Sequence, residues 1–386
     1  MLLLSTDKSC REQHEAVRNA VGVYYFTHHI IELTGPGALA LLEKLYVSNI
    51  SKLVPTRGRY TMMLDENGFP QDDCVVTCLG ENHYWISTLH APRTEKALAA
   101  LKGDLDVTFE RITKKHDMYA IQGPRAMEMA KAILAVDPAP LKRFQIMENH
   151  LGNVRVGVAK GSYTGEGGIE VYCDVADTEM VKNAIFSRVA EFGGMVIDEF
   201  DVIAYTLATE AGLPLVTDID EATPFATGMD WLIDWNKTDF LGHDAVLAAK
   251  QQPLRHKLVG ITVDAPFTKV HGGPYGGCVS KNGRQIGRVT KFTYGFTLGK
   301  WVGFALVKAD SVQPGEHVTI DWNVDAVVCS QHTLSGKITG SEKGWLQMIA
   351  TSLGASLIFS FYSAFSTAAI TGSTASVLMD SIWPSS

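Results

Sequence analysis

The spacing of apolar positions shifts repeatedly along the chain, and each shift predicts an element. Residues 11–21, "REQHEAVRNAV", repeat at helical spacing. "FTHHIIELTGPGALALL", Phe26 to Leu42, alternates like a strand, turns at Gly-Pro-Gly and continues as a helix over 36–46. "YTMMLDENGFPQDDCVVTCLG" reads as strand, turn, strand, with Asp-Glu-Asn-Gly as the hairpin signal. "HYWISTL" is a further strand, and "TEKALAALKG" is a helix stopped by Gly103. "MYAIQGPRAMEMAKAIL" then repeats the earlier order of apolar strand, Gly-Pro turn and Ala-rich helix. "IELTGPGALALL" and "YAIQGPRAMEMA" thus form a weak internal repeat.

"VRVGVAKGSYTGEGGIEVYCD" predicts two strands around a glycine-rich turn, and "DTEMVKNAIFSRVAEFGG" a single amphipathic helix capped by Asp177. Strands and helices mix without regular alternation, which favours an α+β fold over a doubly wound parallel sheet. From about Arg255 to Leu334 the pattern becomes all-β, in short strands suited to a small barrel or sandwich. The expected domains are an α+β region over 1–250, a β domain over 251–336 and a tail over 337–386. Between Gly344 and Ser386 the only charged residue is Asp380. That tail is long enough to cross a bilayer, but its Ser, Thr and Gly content and its lack of a basic flank on the C-terminal side weigh against a membrane anchor. A packed helix, or a tail unrelated to the rest, is favoured.

The 386 residues are 46% hydrophobic and carry a net charge of -8, enough apolar material for a large core and no basic face for nucleic acid. None of the six cysteines forms a C-x-x-C pair, and no Cys/His cluster has zinc spacing, so no metal site is expected. Cys74 and Cys78 fall on one face of a strand, as buried free thiols. Free thiols and a start without a signal-peptide core fit a cytoplasmic protein.

Four groups of residues could carry chemistry. His28 and His29 are adjacent in a strand, so at most one faces a given pocket. Asp72 and Asp73 follow the hairpin turn; one can cap it, and the other enters an apolar strand, where a carboxylate needs a partner. "GSYTGEGGIEVY" offers Tyr163, Glu166 and Glu170 on backbone that glycines bring close to a neighbour or a flat ligand. It lacks the helix that follows a phosphate-binding loop. "GRVTKFTYGFTLGKWVGFALV" is a glycine- and aromatic-rich hairpin whose turn could line a cleft.

In order, "THHIIELTGPGAL", "YTMMLDENGFPQDD", "AIQGPRA", "SYTGEGGIEVY", "TDIDEATPFATGMDWLIDWNKTDFLGHDAV" and "GRVTKFTYGFTLGKWVGFALV" resemble the aminomethyltransferase family of the glycine cleavage system and its folate-dependent relatives. The resemblance covers roughly residues 11–334 and implies an α+β catalytic region and a C-terminal β-barrel around a channel holding tetrahydrofolate. It places Asp73 beside the reactive folate nitrogen, Glu170 on the pterin, and Tyr60 and Tyr163 on pocket tyrosines. Two segments depart from it. "IAYTLATEAG" puts Ala204 and Ala208 where aminomethyltransferases carry arginines, and "YYFTHHI" replaces "FDVSHMG". The double histidine is similar to that of tetrahydrofolate-dependent O-demethylases of methoxylated aromatic acids, where the second histidine faces the methoxy group. That likeness implies methyl transfer from a small-molecule donor to folate N5, with His29 as the acid and Tyr24 or Tyr25 assisting. His28 is then structural. The alternatives are an aminomethyltransferase of the glycine cleavage system, an S- or N-demethylase, and a folate-binding protein without catalysis.

Overall fold

The computed structural model describes residues 7–26, 28–267, 276–321 and 324–329. The apolar tail lies outside the described residues. The chain starts with helix α1 (Asp7–Asn19) and strand β1 (Gly22–Tyr25). A first lobe follows: β2 (His29–Thr34), α2 (Ala38–Leu45), β3 (Gly58–Leu64), β4 (Pro70–Gly80), β5 (His83–Thr88), α3 (Ala91–Lys102) and β6 (Thr108–Arg111). Its strands form an antiparallel sheet in the order β3-β4-β5-β2-β6. Helices α2 and α3 cover one face through Leu41, Leu42, Leu45 and Leu98, against Ile31, Cys74, Val76 and Cys78. The hairpin turn between β3 and β4 is capped by Asp65, whose Oδ1 accepts from the N–H groups of Asn67 and Phe69 at 2.9 Å each. Neither Asp72 nor Asp73 caps it, because Asp65 already stands at the first turn position, where a carboxylate reaches both amides.

The second lobe uses the same order of elements: β7 (His116–Gln122), α4 (Ala126–Ile133), β8 (Ile146–Leu151), β9 (Val154–Ala159), β10 (Gly168–Asp174), α5 (Thr178–Phe186) and β11 (Met195–Val196). Its sheet runs β11-β1-β7-β10-β9-β8. The strand orders β3-β4-β5-β2 and β8-β9-β10-β7 correspond. In both lobes the strand-to-helix turn passes through a glycine with positive φ, Gly35 at 117° and Gly123 at 131°, where a side chain would be strained. The predicted long helix from 177 divides in two, α5 and a short 3-10 turn over Val189–Phe192 ended by left-handed Gly193. Asp177 holds the N-cap position of α5 without a side-chain capping bond.

Between the lobes and the barrel runs a segment of short helical pieces: a π-turn over Val202–Thr206, then α6 (Leu207–Glu210), α7 (Val216–Ile219), α8 (Pro224–Thr227) and α9 (His243–Lys250). Val216, Ile219, Ala226, Leu232 and Phe240 of this stretch pack between Met62 and Leu64 of β3 and the barrel's Leu258, Phe304 and Leu306. The barrel is closed and antiparallel, with strands β12 (His256–Val263), β13 (Cys278–Lys281), β14 (Arg284–Gly295), β15 (Lys300–Lys308), β16 (His317–Ile320) and β17 (Val324–Cys329) in the order β12-β15-β14-β13-β16-β17. The fold is therefore α+β, with a barrel after the mixed region. No helix among the described residues is long and apolar enough to cross a membrane.

A buried ionic knot ties α1 to the other parts. The Arg18 guanidinium donates to Glu210 Oε2 at 3.2 Å, Glu166 Oε1 at 3.2 Å and the Leu207 carbonyl at 2.9 Å. His14 Nε2 lies 3.0 Å from Glu210 Oε2, and the Thr297 N–H of the barrel donates to Glu210 Oε1 at 2.8 Å. Glu166, which the sequence left among the candidate chemical groups, is thereby committed to structure.

Candidate functional site

Strand alternation decides what reaches the interior. Along β4, Asp72, Cys74 and Val76 turn towards α2 and α3, while Asp73 turns the other way. Asp72 is fully buried, and its Oδ2 accepts from Thr88 at 2.5 Å and from Thr94 of α3 at 2.8 Å. Burial pushes its carboxyl up to about 7, further raised by Asp73 and opposed by the two threonines. Asp72 is therefore a clamp between sheet and helix. On the other face the Tyr60 hydroxyl donates to Asp73 Oδ2 at 2.8 Å. The Tyr60 ring stacks on Phe144 and on Trp231, with centroids 6.3 Å away in each case. Desolvation holds the Asp73 carboxyl above the ordinary carboxylate value, although the Tyr60 hydrogen bond and nearby Lys291 and His28 oppose it.

The second lobe supplies the other carboxylate. On β10, Ile169 and Val171 enter the core beneath α4 and α5, so Glu170 and Tyr172 face the first lobe. The Tyr172 hydroxyl donates to Glu170 Oε2 at 2.8 Å, and His28 Nε2 lies 3.8 Å from Glu170 Oε1. Burial alone would raise the Glu170 carboxyl, yet His28 and Tyr172 hold it below the ordinary carboxylate value. Tyr163 reaches the same region from the glycine-rich loop. Its hydroxyl donates to the Pro214 carbonyl at 3.2 Å, and its phenol lies within the fields of Asp73, Asp218 and Tyr205.

The structure thus brings Tyr60, Asp73, Tyr163 and Glu170 to one polar face, but not His29 or Tyr25. In β2, Ile31 joins the core under α2 and α3, and Ile30 the layer between the two sheets. His29 therefore shares the face of Ile31. It pairs across the sheet with Thr88 and lies near His90 at the start of α3. The ring that meets Glu170 belongs to His28, one residue earlier and on the opposite side. Geometry therefore puts His28, not His29, beside Glu170. Strand alternation separates the tyrosines of β1. Tyr24 is buried, within the field of Glu170. Tyr25 is 52% exposed and donates its hydroxyl to Asp117 at 2.7 Å.

Three residues that the sequence did not mark complete the group. Lys291 of β14 is 1% exposed, 3.7 Å from Asp218 Oδ2 and 5.3 Å above the Tyr205 ring. Asp218 caps α7 by accepting from the Leu215 N–H at 2.7 Å. Tyr205 sits on the π-turn, an irregularity often found at functional sites. A lysine inside the glycine- and aromatic-rich hairpin "GRVTKFTYG" was the available signal.

The sequence matches the GCVT N-terminal domain over residues 4–237 and the glycine cleavage T-protein C-terminal barrel domain over residues 256–333. The chain belongs to the glycine cleavage T-protein family. Its relatives include aminomethyltransferases from Lysinibacillus sphaericus, 32% identical over 81% of this chain and 85% of that protein, and from Geobacillus kaustophilus, 33% identical over 81% and 86%. A probable aminomethyltransferase from Thermococcus kodakarensis is 31% identical over 81% of this chain and 85% of the relative. Among solved structures, the glycine cleavage system aminomethyltransferase T from Bartonella henselae shares the fold. Its TM-score is 0.75 at 21% identity, over 85% of this chain and 90% of that one.

As a T-protein relative, the chain is a folate-dependent one-carbon transferase. The donor groups fit that acceptor. A pterin offers a flat ring and an edge of N–H donors, and the site offers stacked rings beside Tyr60 and an ionised carboxylate at Glu170. The three relatives named above are described as aminomethyltransferases, not as O-demethylases. The imidazole on which that reading relied lies on the other face of the sheet. If Glu170 needs His28, His28→Ala should weaken tetrahydrofolate binding by about 10-fold, and His29→Ala should leave it within about twofold. Calorimetric titration of both variants checks this; the reverse order would restore His29 to the site.

Proposed function

We propose that this protein transfers a one-carbon unit from an aminomethyl donor to tetrahydrofolate, in the manner of the glycine cleavage aminomethyltransferases. The observation that carries the proposal is the charge of the site. Three carboxyl groups, Asp73, Glu170 and Asp218, surround the amine of Lys291 and the imidazole of His28. Such a surplus suits a donor whose nitrogen is protonated or whose carbon gains positive charge as it leaves. It does not suit a carboxylated methoxyarene, whose departing oxygen gains negative charge. With Ala204 and Ala208 on the π-turn and α6, that segment supplies no cation where arginines stand in the aminomethyltransferase pattern.

In this reading Glu170, fixed by Tyr172 and His28, orients the pterin. Asp73, held by Tyr60, orients the acceptor nitrogen and stabilises positive charge beside it. The folate supplies the nucleophilic nitrogen. Stacked Tyr60, Phe144 and Trp231 and the carbonyl-bound Tyr163 wall the group, which strengthens its electrostatics. The test is incubation with tetrahydrofolate and an aminomethyl-loaded lipoyl carrier protein, following methylene-tetrahydrofolate and ammonia. Formation of both is expected. Folate product from methoxybenzoates, with none from the carrier, would overturn the proposal.

A further inference from the structure

Lys291 is a buried ammonium with under-used donors. Its Nζ lies 3.5 Å from the Leu213 carbonyl and 3.7 Å from Asp218 Oδ2, against about 2.7–2.9 Å for a well-formed charge-assisted bond. Yet the fold is bent to deliver it. The β14–β15 register moves from Val289↔Ala305 to Lys291↔Phe304, so Thr290 is an extra residue, a bulge. Val289 stays in the barrel core, whereas Lys291 is re-aimed towards Asp218. The partner strand accommodates the bulge only with glycine, because a Cβ on Gly303 would lie 2.1 Å from the Lys291 carbonyl oxygen. A bulge, a matching glycine and a buried charge at one spot are costly as mere packing.

The groups that face Asp73 come from five elements. Tyr60 comes from β3, His28 from the residue before β2, Tyr163 from the glycine-rich loop, Asp218 from α7 and Lys291 from β14. Asp72 and Cys74 flank it on β4, facing the helices. Arg143 lies beyond Tyr60 and acts on that phenol. Two of the groups are decisive for charge. Asp218 is a second carboxyl within the field of Asp73, and the barrel's Lys291, 3.7 Å from Asp218 Oδ2, lies within the field of both.

We propose that Lys291 is a positioning residue: it neutralises Asp218 so that Asp73 stays ionised beside the acceptor nitrogen, which makes the barrel part of the reaction centre. Without it, two desolvated carboxyl groups would lie in each other's field, and one would take up a proton. The inference rests on the proposed function for its catalytic meaning, but its physical content, the ionisation of Asp73, can be read without substrate.

The experiment is an infrared pH titration of the carboxyl bands, each protein measured against its own Asp73→Asn counterpart. Lys291→Met should raise the Asp73 midpoint by about one pH unit or more. Lys291→Arg should keep it near the native value. Asp218→Asn added to Lys291→Met should bring it back down, which a merely structural lysine would not do. An unmoved midpoint in Lys291→Met overturns the proposal. Should Lys291→Met fail to fold, Asp218→Asn alone decides: it should lower the midpoint, and no change overturns the coupling. In the turnover assay, Lys291→Met should reduce kcat most at low pH and recover as pH rises, with tetrahydrofolate affinity little changed. No turnover in any variant, with the Asp73 shift intact, would sink the functional reading and leave this one standing.

Discussion

Replacing Asp73 with asparagine should lower turnover by about 100-fold or more, the scale of losing one preorganised charge-stabilising group, while tetrahydrofolate still binds. Asparagine keeps the size and accepts the Tyr60 hydrogen bond, so the 2.8 Å contact and the stacked rings can persist. What disappears is the negative charge. The effect should therefore fall on kcat rather than on folate affinity, because the charge matters most when the carbon is in transit. Steady-state and single-turnover kinetics on the variant, with a folate titration alongside, separate the two. A variant with native kcat would reduce Asp73 to a structural partner of Tyr60. Loss of folate binding with kcat intact would make it a binding residue only.

The largest stability effect is expected at Arg18. Its guanidinium spans Glu166 and Glu210, and its side chain is only 5% exposed. Arg18→Met leaves those carboxylates without their guanidinium, and breaking such a buried pair costs about 3–5 kcal/mol. Because the knot joins α1, the glycine-rich loop, α6 and the barrel, the loss should be global and visible as a shift in the urea midpoint. A shift worth less than about 1 kcal/mol would mean that the knot is dispensable. The knot also sets an acid limit. Burial opposes the charge on Glu210, but His14, Arg18 and Thr297 hold its carboxyl at about 2. A carboxyl depressed in the folded state contributes stability above its unfolded value. That contribution fades as the pH drops from about 4.5 towards 2.

Much of the fold could be read from the residues because local signals agreed with tertiary needs. The alternation of "DDCVVTCLG" placed Cys74 and Cys78 together, and both are buried under the helices. The two Gly-Pro turns stand at corresponding strand-to-helix turns of the two lobes, and the short strands after Arg255 build the closed barrel. Misread features depended on non-local facts. Which of His28 and His29 faces inward depends on how β2 enters its sheet, and the two positions differ by one residue in a period-two pattern. Tyr24 and Tyr25 pose the same ambiguity. Lys291 escaped notice because a bulge overrides the alternation that would have turned it elsewhere. Asp218 drew no attention because its contact with Lys291 comes from a barrel strand more than seventy residues later.

The central claim is that tetrahydrofolate lies against the face shared by Glu170 and Asp73. Its most direct test is calorimetric titration of tetrahydrofolate into the native protein and into Glu170→Gln, with circular dichroism to confirm that both are folded. The native protein should bind, and the variant should bind about 10-fold more weakly or worse, as expected when a charge-assisted hydrogen bond is lost. Equal affinity in the two folded proteins would contradict that claim and place the pterin elsewhere.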